Sequence, residues 1–298
     1  MKVLLADHGW KMRGGQWQTL YLADGLRERG HSVRVLARYE SKLWAICQRD
    51  KYDVRPLGAT TMLTQSSAFD VVHVQDAHSH TLAALFSPKP FLVSRRVLFP
   101  VKNSWISRKK YARAAGFLAV SNAAAKELRR ALVPAERIRV VYDGVPDVAP
   151  ADYAPHVVGL KSDDTGKLNS LMEESAKIAQ LELHLGNSLS DSLKSGLLFL
   201  YLSQSEGLGS AVLFAMAAGL PIVASRVGGL VEAVDEGFSG LLVPNDASAV
   251  ANALLAVAAD RNLVFRFSEN ARRRYLKLFT VDHMIDNTLR AYQELLGA

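Results

Sequence analysis

The apolar positions of this chain come in short runs separated by amphipathic stretches, the rhythm of strands alternating with helices. Lys2–Ala6 reads as an apolar strand, and after a loop to Gly15, Gln16–Arg29 carries Leu20, Leu22, Ala23 and Leu26 at helical spacing and stops at Gly30. Val33–Ala37 follows as a second strand. Strand, helix and strand within about forty residues form the unit of a parallel sheet, so the fold class is α/β. Ligands of such sheets sit beyond the carboxyl ends of the strands, which points to the loop Asp7–Gly15. Further strands are predicted at Val71–Val74, Phe91–Ser94, Phe117–Val120 and Arg139–Tyr142. Helices are predicted at Thr81–Leu85, Lys109–Ala115 and Asn122–Leu132, the last capped by Ser121.

From Asp143 to Pro155 the pattern lapses, and Pro146, Pro150 and Pro155 speak against regular structure there. A domain boundary is placed in this stretch, giving domains over 1–145 and 146–280 and a C-terminal helical segment over 281–298 that crosses back to the first domain. Beyond it the same alternation resumes. Strands are predicted at Val157–Leu160, Leu181–Leu185, Leu197–Leu202, Pro221–Ser225 and Leu241–Val243. Helices are predicted at Lys167–Gln180, Ser210–Ala218, Ala247–Ala259, Arg261–Leu276 and Asp282–Leu296.

Composition narrows the setting. The 298 residues are 49% hydrophobic and 22% charged, ordinary for a globular chain of one large or two moderate domains. Cys47 is the single cysteine and no Cys/His cluster offers a metal site, which fits a reducing, cytoplasmic compartment. The opening apolar run is too short for an export signal, and about twenty apolar residues never run together as a membrane span needs. The net charge of +7 is uneven: residues 1–150 hold 24 Lys and Arg against 12 Asp and Glu, and the remainder 12 against 17, or +12 and −5. That asymmetry means either an anionic partner for the first half or a solvated basic face.

The chemistry concentrates after the strand Leu197–Leu202, in Ser203-Gln204-Ser205-Glu206-Gly207-Leu208-Gly209-Ser210. Two glycines let backbone approach a ligand, the following helix start attracts phosphate, and Glu206 offers a carboxylate suited to sugar hydroxyls. A tight turn with a helix-favouring Glu accounts for the loop equally well in isolation. With Ala217-Ala218-Gly219-Leu220-Pro221-Ile222-Val223-Ala224-Ser225 and Gly228-Gly229-Leu230-Val231-Glu232 downstream, however, the run resembles the donor segment of retaining GT-B glycosyltransferases of family 4. Gly14-Gly15-Gln16 is similar to that family's first glycine-rich loop. Gly30-His31-Ser32-Val33, Phe69-Asp70-Val71-Val72-His73, Ala119-Val120-Ser121 and the stretch Arg137–Val145 extend the resemblance over most of the chain. Arg13-Gly14-Gly15-Gln16 and Asp76-Ala77-His78-Ser79-His80 are similar to bacterial members that build lipopolysaccharide or capsule.

The resemblance implies two Rossmann-like parallel-sheet domains facing a cleft, with the C-terminal domain shortened. It implies a retaining, metal-independent transferase that moves a hexose-like sugar from a nucleotide sugar to a glycan or lipid-linked acceptor, without a separate cofactor. Glu206, His78 and Arg95 would act at the reacting sugar. Gly14, Gly15, Gly207, Leu208, Gly209, Ser210 and Lys161 would hold the donor, and Arg13 and His80 would meet the acceptor. His8 and Trp10 would line the acceptor mouth or simply pack the loop. The basic and aromatic stretch Lys102, Trp105, Arg108, Lys109, Lys110, Tyr111 and Arg113 is either a contact with an anionic membrane surface, on its inner face, or a polar helix face. No nucleic-acid motif accompanies it, and no G-x-G-x-x-G follows the first strand.

Three departures qualify the match. The family places a second Glu eight positions after the first, for the donor ribose, and this chain has Phe214, which accepts no hydroxyl hydrogen bond. No G-R-x-x-x-x-K-G run survives between Gly144 and Leu181, where Lys161 and Lys167 are the only stand-ins and Lys167 reads as a solvated helix residue. Where many members have a His, this chain has Ser94-Arg95-Arg96. The alternative is therefore a non-catalytic relative that binds or serves a partner.

Overall fold

The computed structural model describes residues 1–102, 104–162 and 166–297. The chain divides into two compact units, Met1–Asp143 with the chain from Val281 on, and Gly144–Thr280.

Unit 1 alternates strand and helix: β1 (Lys2–Asp7), α1 (Gly14–Glu28), β2 (Ser32–Ala37), α2 (Lys42–Arg49), β3 (Asp53–Pro56), α3 (Ala59–Gln65), β4 (Val71–Val74), α4 (Ala77–Phe86), β5 (Leu92–Arg95), α5 (Trp105–Arg113), β6 (Gly116–Ala119), α6 (Asn122–Arg130) and β7 (Ile138–Val140). The strands form one parallel sheet in the order β3-β2-β1-β4-β5-β6-β7. Its order reverses between β1 and β4, so the loops leaving those two strands diverge and open a crevice. α2 and β3 escape the hydrophobic pattern for a physical reason: only Leu43 and Cys47 of α2 and Val54 of β3 are buried, too few to make a period.

Unit 2 follows with β8 (Asp152–Leu160), α7 (Asn169–Ile178), β9 (Leu183–Gly186), α8 (Leu189–Ser192), β10 (Ser195–Tyr201), α9 (Ser210–Ala217), β11 (Ile222–Ser225), α10 (Leu230–Ala233), β12 (Gly240–Val243), α11 (Ala247–Ala258) and α12 (Arg261–Leu278). Its parallel sheet runs β12-β11-β10-β8-β9, reversing between β8 and β10. The proline-rich stretch is less irregular than its composition implies, because β8 starts at Asp152 and contains Pro155. Pairing with β10 slips between Gly196/Tyr153 and Leu198/Val157, so Pro155 lies in a bulge, where no ladder N–H is required of it.

The last helix, α13 (Val281–Leu296), belongs to unit 1. It packs on α1 where Gly25 leaves room: a Cβ there would lie 2.5 Å from Ile285 Cγ1. Ile285 and Tyr292 thereby join Val3, Leu5, Leu26 and Val35 in the core. Tyr292 donates to His73 Nδ1 or accepts from it at 2.8 Å, and the His73 Nε2 meets Ser94 Oγ at 2.9 Å.

Candidate functional site

In unit 2 the loops leaving β8 and β10 meet at the point where the sheet order reverses, the expected position of a ligand in an open parallel sheet. β10 is buried along its length after Ser195 and ends on Tyr201, followed by the loop Leu202–Gly209. Ser203 fixes that loop: its N–H donates to Ser225 Oγ at 2.9 Å and its carbonyl accepts from Asn245 Nδ2 at 3.0 Å, tying the ends of three strands together. Lys167 pairs with Ser203 as a short antiparallel bridge, and Gln204 N–H donates to the Gly166 carbonyl at 2.9 Å.

This bridge brings Lys167 onto Glu206. The Lys167 ammonium donates to Glu206 Oε2 and to the Tyr201 hydroxyl and lies 4.4 Å from the centre of the Tyr201 ring. The Tyr201 hydroxyl donates to the same carboxylate oxygen at 2.9 Å. Both charged side chains are less than a fifth exposed, 18% and 19%. Lys167 is therefore no solvated helix residue. It precedes α7, and the bridge with Ser203 turns it inward, a long-range contact that helical periodicity cannot register.

The glycines around Glu206 are set by space. Gly209 caps α9 with φ +92°, a left-handed conformation that favours glycine. Gly229 N–H donates to the Glu206 carbonyl at 2.9 Å, and a Cβ on Gly229 would stand 1.9 Å from the Gly207 carbonyl oxygen. Leu208 is buried in the core, so only its backbone can face a ligand. Ser210 opens α9; the Val212 N–H already donates to the Gly209 carbonyl at 2.9 Å, and the start of the helix carries the positive end of its dipole. Phe214 lies one turn further along α9 and is partly exposed. Lys161 is exposed immediately after β8, where its N–H donates to the Gly186 carbonyl at 2.9 Å, and it is Lys167, further along the same β8–α7 loop, that reaches Glu206.

In unit 1 the crevice between β1 and β4 gathers a second set. Buried Asp7 accepts from Gly9 N–H at 2.8 Å, Gln16 Nε2 at 2.9 Å and Thr19 Oγ1 at 2.7 Å. Burial and the neighbouring Asp76 raise its pKa above the usual carboxylate range. Asp76 caps α4 by accepting from the His78 and Ser79 amides, and it also takes the His8 amide at 2.5 Å. The two loops are thus pinned to each other, and the His8 and His78 rings stack with centres 3.7 Å apart. Burial, then the His78 charge, lowers the pKa of His8. Gly14 and Gly15 form the first turn of α1 rather than a loop, with open space where a Gly15 Cβ would be, and Arg13 just before them is exposed.

Two expected contacts in unit 1 change character. His80 sits on α4, 1% exposed, with its ring edge-on to Phe91, Tyr111 and Phe117, so it supports the core and cannot meet an acceptor in this conformation. α4 starts at Ala77, one turn before the apolar pattern does, because Asp76 caps it, and this turns His80 inward while His78 stays exposed. Arg95 ends β5 and donates to the Phe99 carbonyl, bracing the following loop. Its neighbour Arg96 pairs with Asp143 at 3.0 Å and donates to Gln75 Oε1 at 2.8 Å.

Two family models match this chain: glycosyl transferases group 1 over residues 130–274 and glycosyltransferase family 4 over residues 12–148. The chain is 28% identical over 296 residues to a D-inositol 3-phosphate glycosyltransferase of Salinispora arenicola, covering 90% of this chain and 64% of that one. A protein of the same name from Saccharomonospora viridis is 40% identical over 97 residues, 32% of this chain and 22% of that one. The chain thus spans less than two thirds of the length of these relatives. Among solved structures, HepE of Anabaena in complex with UDP-glucose superposes with a TM-score of 0.84 at 16% identity, covering 99% of this chain and 100% of that one. Sucrose-phosphate synthase from Thermosynechococcus elongatus gives 0.77 at 18% identity, covering 99% of each chain.

Proposed function

We propose that this chain, which belongs to glycosyltransferase family 4 and has the GT-B fold, transfers a sugar from a nucleoside diphosphate sugar to a hydroxyl of a glycan or glycolipid acceptor of the cell-envelope type, with retention at the anomeric carbon. The observation that carries the reading is the Lys167–Glu206–Tyr201 constellation at the order reversal of the unit 2 sheet. It offers, side by side, a carboxylate for sugar hydroxyls and an ammonium for phosphate oxygens, next to the start of α9. UDP bound to HepE supports a uridine nucleotide as the first donor to try.

In the transfer, the acceptor oxygen bonds to the anomeric carbon as the bond to the β-phosphate breaks, and the hydroxyl proton leaves with the diphosphate. Negative charge grows on the phosphate, and a fixed ammonium with helix amides lowers the barrier most where that charge develops. Lys167 is the group we assign to it, with Lys161 on the same loop adding long-range attraction. Glu206, released from Lys167, holds the sugar. In unit 1, His78 and Arg13 are assigned to the acceptor side.

Phe214 favours a second reading, in which the chain binds a sugar nucleotide or partner without turnover, since the ribose loses a carboxylate anchor. Release of UDP from UDP-glucose and related donors separates the two. Turnover or slow hydrolysis that falls at least tenfold in Glu206→Gln supports the transferase. Folded protein that binds donor yet releases no UDP with any acceptor supports the second reading, and absence of both binding and turnover overturns the site.

A further inference from the structure

An ammonium has three N–H donors, and Lys167 has a partner for each: Glu206 Oε2, the Tyr201 hydroxyl and Ser203 Oγ, the last at 3.4 Å. A phosphate oxygen reaches this ammonium only by displacing one of them. Two of the three are fixed in place. Tyr201 is 7% exposed at the end of β10, and Ser203 is held through its backbone by Ser225 and Asn245 and through Oγ by the Ser205 carbonyl at 3.0 Å. Glu206 is the partner that can leave. Its carbonyl stays with Gly229 N–H, and its side chain can rotate without moving a strand.

Leaving has a cost, because both charges are less than a fifth exposed and a part-buried ion pair that is opened strands whichever charge finds no substitute. A nucleoside diphosphate offers oxygens to Lys167 but nothing to Glu206. A nucleoside diphosphate sugar offers both, phosphate oxygens to the ammonium and hydroxyls to the carboxylate.

We infer that the Lys167–Glu206 pair is an internal competitor that makes the site select against a nucleoside diphosphate lacking its sugar. Once the sugar has been transferred, Glu206 loses its hydroxyl partner, returns to Lys167 and displaces the spent nucleoside diphosphate. The inference rests on the donor reading above and adds to it how the site tells product from substrate. A pair that only braced the loop would be indifferent to whether the sugar is present.

The test is titration of UDP and of UDP-glucose into the parent, Glu206→Gln, Lys167→Met and the double variant, by calorimetry or, where binding is weak, by saturation-transfer NMR. Circular dichroism confirms that each is folded. Glutamine keeps the shape of the side chain and removes the charge that holds the ammonium. A hydrogen bond to a charged group is worth on the order of ten- to a hundredfold, so E206Q should bind UDP at least about tenfold tighter than the parent, and the preference for UDP-glucose over UDP should shrink. In the K167M background the same change should leave UDP affinity within about threefold, because no ammonium is contested there. Unchanged UDP affinity in E206Q, with UDP-glucose still bound by the parent, overturns this inference and leaves the donor site standing. Equal tightening with and without Lys167 also overturns it, since simple repulsion between Glu206 and phosphate then accounts for the effect. A parent protein that binds neither ligand removes the donor reading together with this one.

Discussion

Replacing Gly229 by Ala adds one methyl group, and the structure says where it goes. The φ of Gly229 is −74°, which any residue adopts, so the substitution causes no backbone strain of its own. The new Cβ stands 1.9 Å from the Gly207 carbonyl oxygen, 2.7 Å from the Gly207 carbonyl carbon and 2.9 Å from Leu208 Cα. All three are backbone, and none can swing aside. Reaching an ordinary 3.4 Å contact requires the two loops to part by about 1.5 Å, the difference between 3.4 and 1.9. Overpacking of this kind costs typically 1–3 kcal/mol, and we expect the upper part of that range. The Gly229 N–H to Glu206 carbonyl bond couples the shift to the carboxylate. A misplacement of about 1 Å at a site is worth on the order of a hundredfold in turnover, and moving the Glu206 carboxylate off the sugar should lower donor affinity as well. Gly15→Ala is the control: its Cβ meets open space, and on a helix Ala outranks Gly by up to about 1 kcal/mol. Urea denaturation and calorimetric titration with UDP-glucose read both quantities. A Gly229→Ala protein with unchanged midpoint and affinity refutes the clamp between the two glycine loops.

Three further outcomes follow from named contacts. Lys167→Met removes the ammonium while keeping the length of the stem, and it should weaken nucleotide-sugar binding at least tenfold while leaving apo stability within about 2 kcal/mol, because the Tyr201 hydroxyl still serves the less-than-a-fifth-exposed Glu206. His73 and His80 are pushed down to about 3 from 6.5, both chiefly by burial, then by Arg96 and Lys110 respectively. Between those values the unfolded chain takes up protons that the folded one refuses. Stability is therefore complete above about pH 6.5 and declines toward pH 3 with a slope of up to about 2.7 kcal/mol per pH unit, which His80→Phe should cut by about half in pH-dependent denaturation. Tyr292→Phe leaves buried His73 without its 2.8 Å partner and should cost about 1–2 kcal/mol in the same assay.

The alternation of apolar runs made both parallel sheets legible, because strands buried on two faces read as continuous Val, Leu and Ile. Glu206 and its glycines were legible too, since their spacing is local. Lys167 was not: its partner lies 39 positions away, and only the bridge to Ser203 brings them together. The burial of His80 was hidden for a similar reason, as the Asp76 cap starts α4 early and rotates the histidine among Phe91 just before β5, Tyr111 of α5 and Phe117 of β6. β3, with a single buried residue, and the bulge that accommodates Pro155 are products of pairing with neighbouring strands and leave no mark in the pattern.

The most direct measurement is a crystal structure of this protein with UDP-glucose bound to unit 2. We expect the diphosphate against the start of α9, the Lys167 ammonium moved from Glu206 to a phosphate oxygen, and the freed Glu206 carboxylate on a sugar hydroxyl. Nucleotide density remote from the β8 and β10 loops, with the Lys167–Glu206 pair still closed, would contradict the assignment.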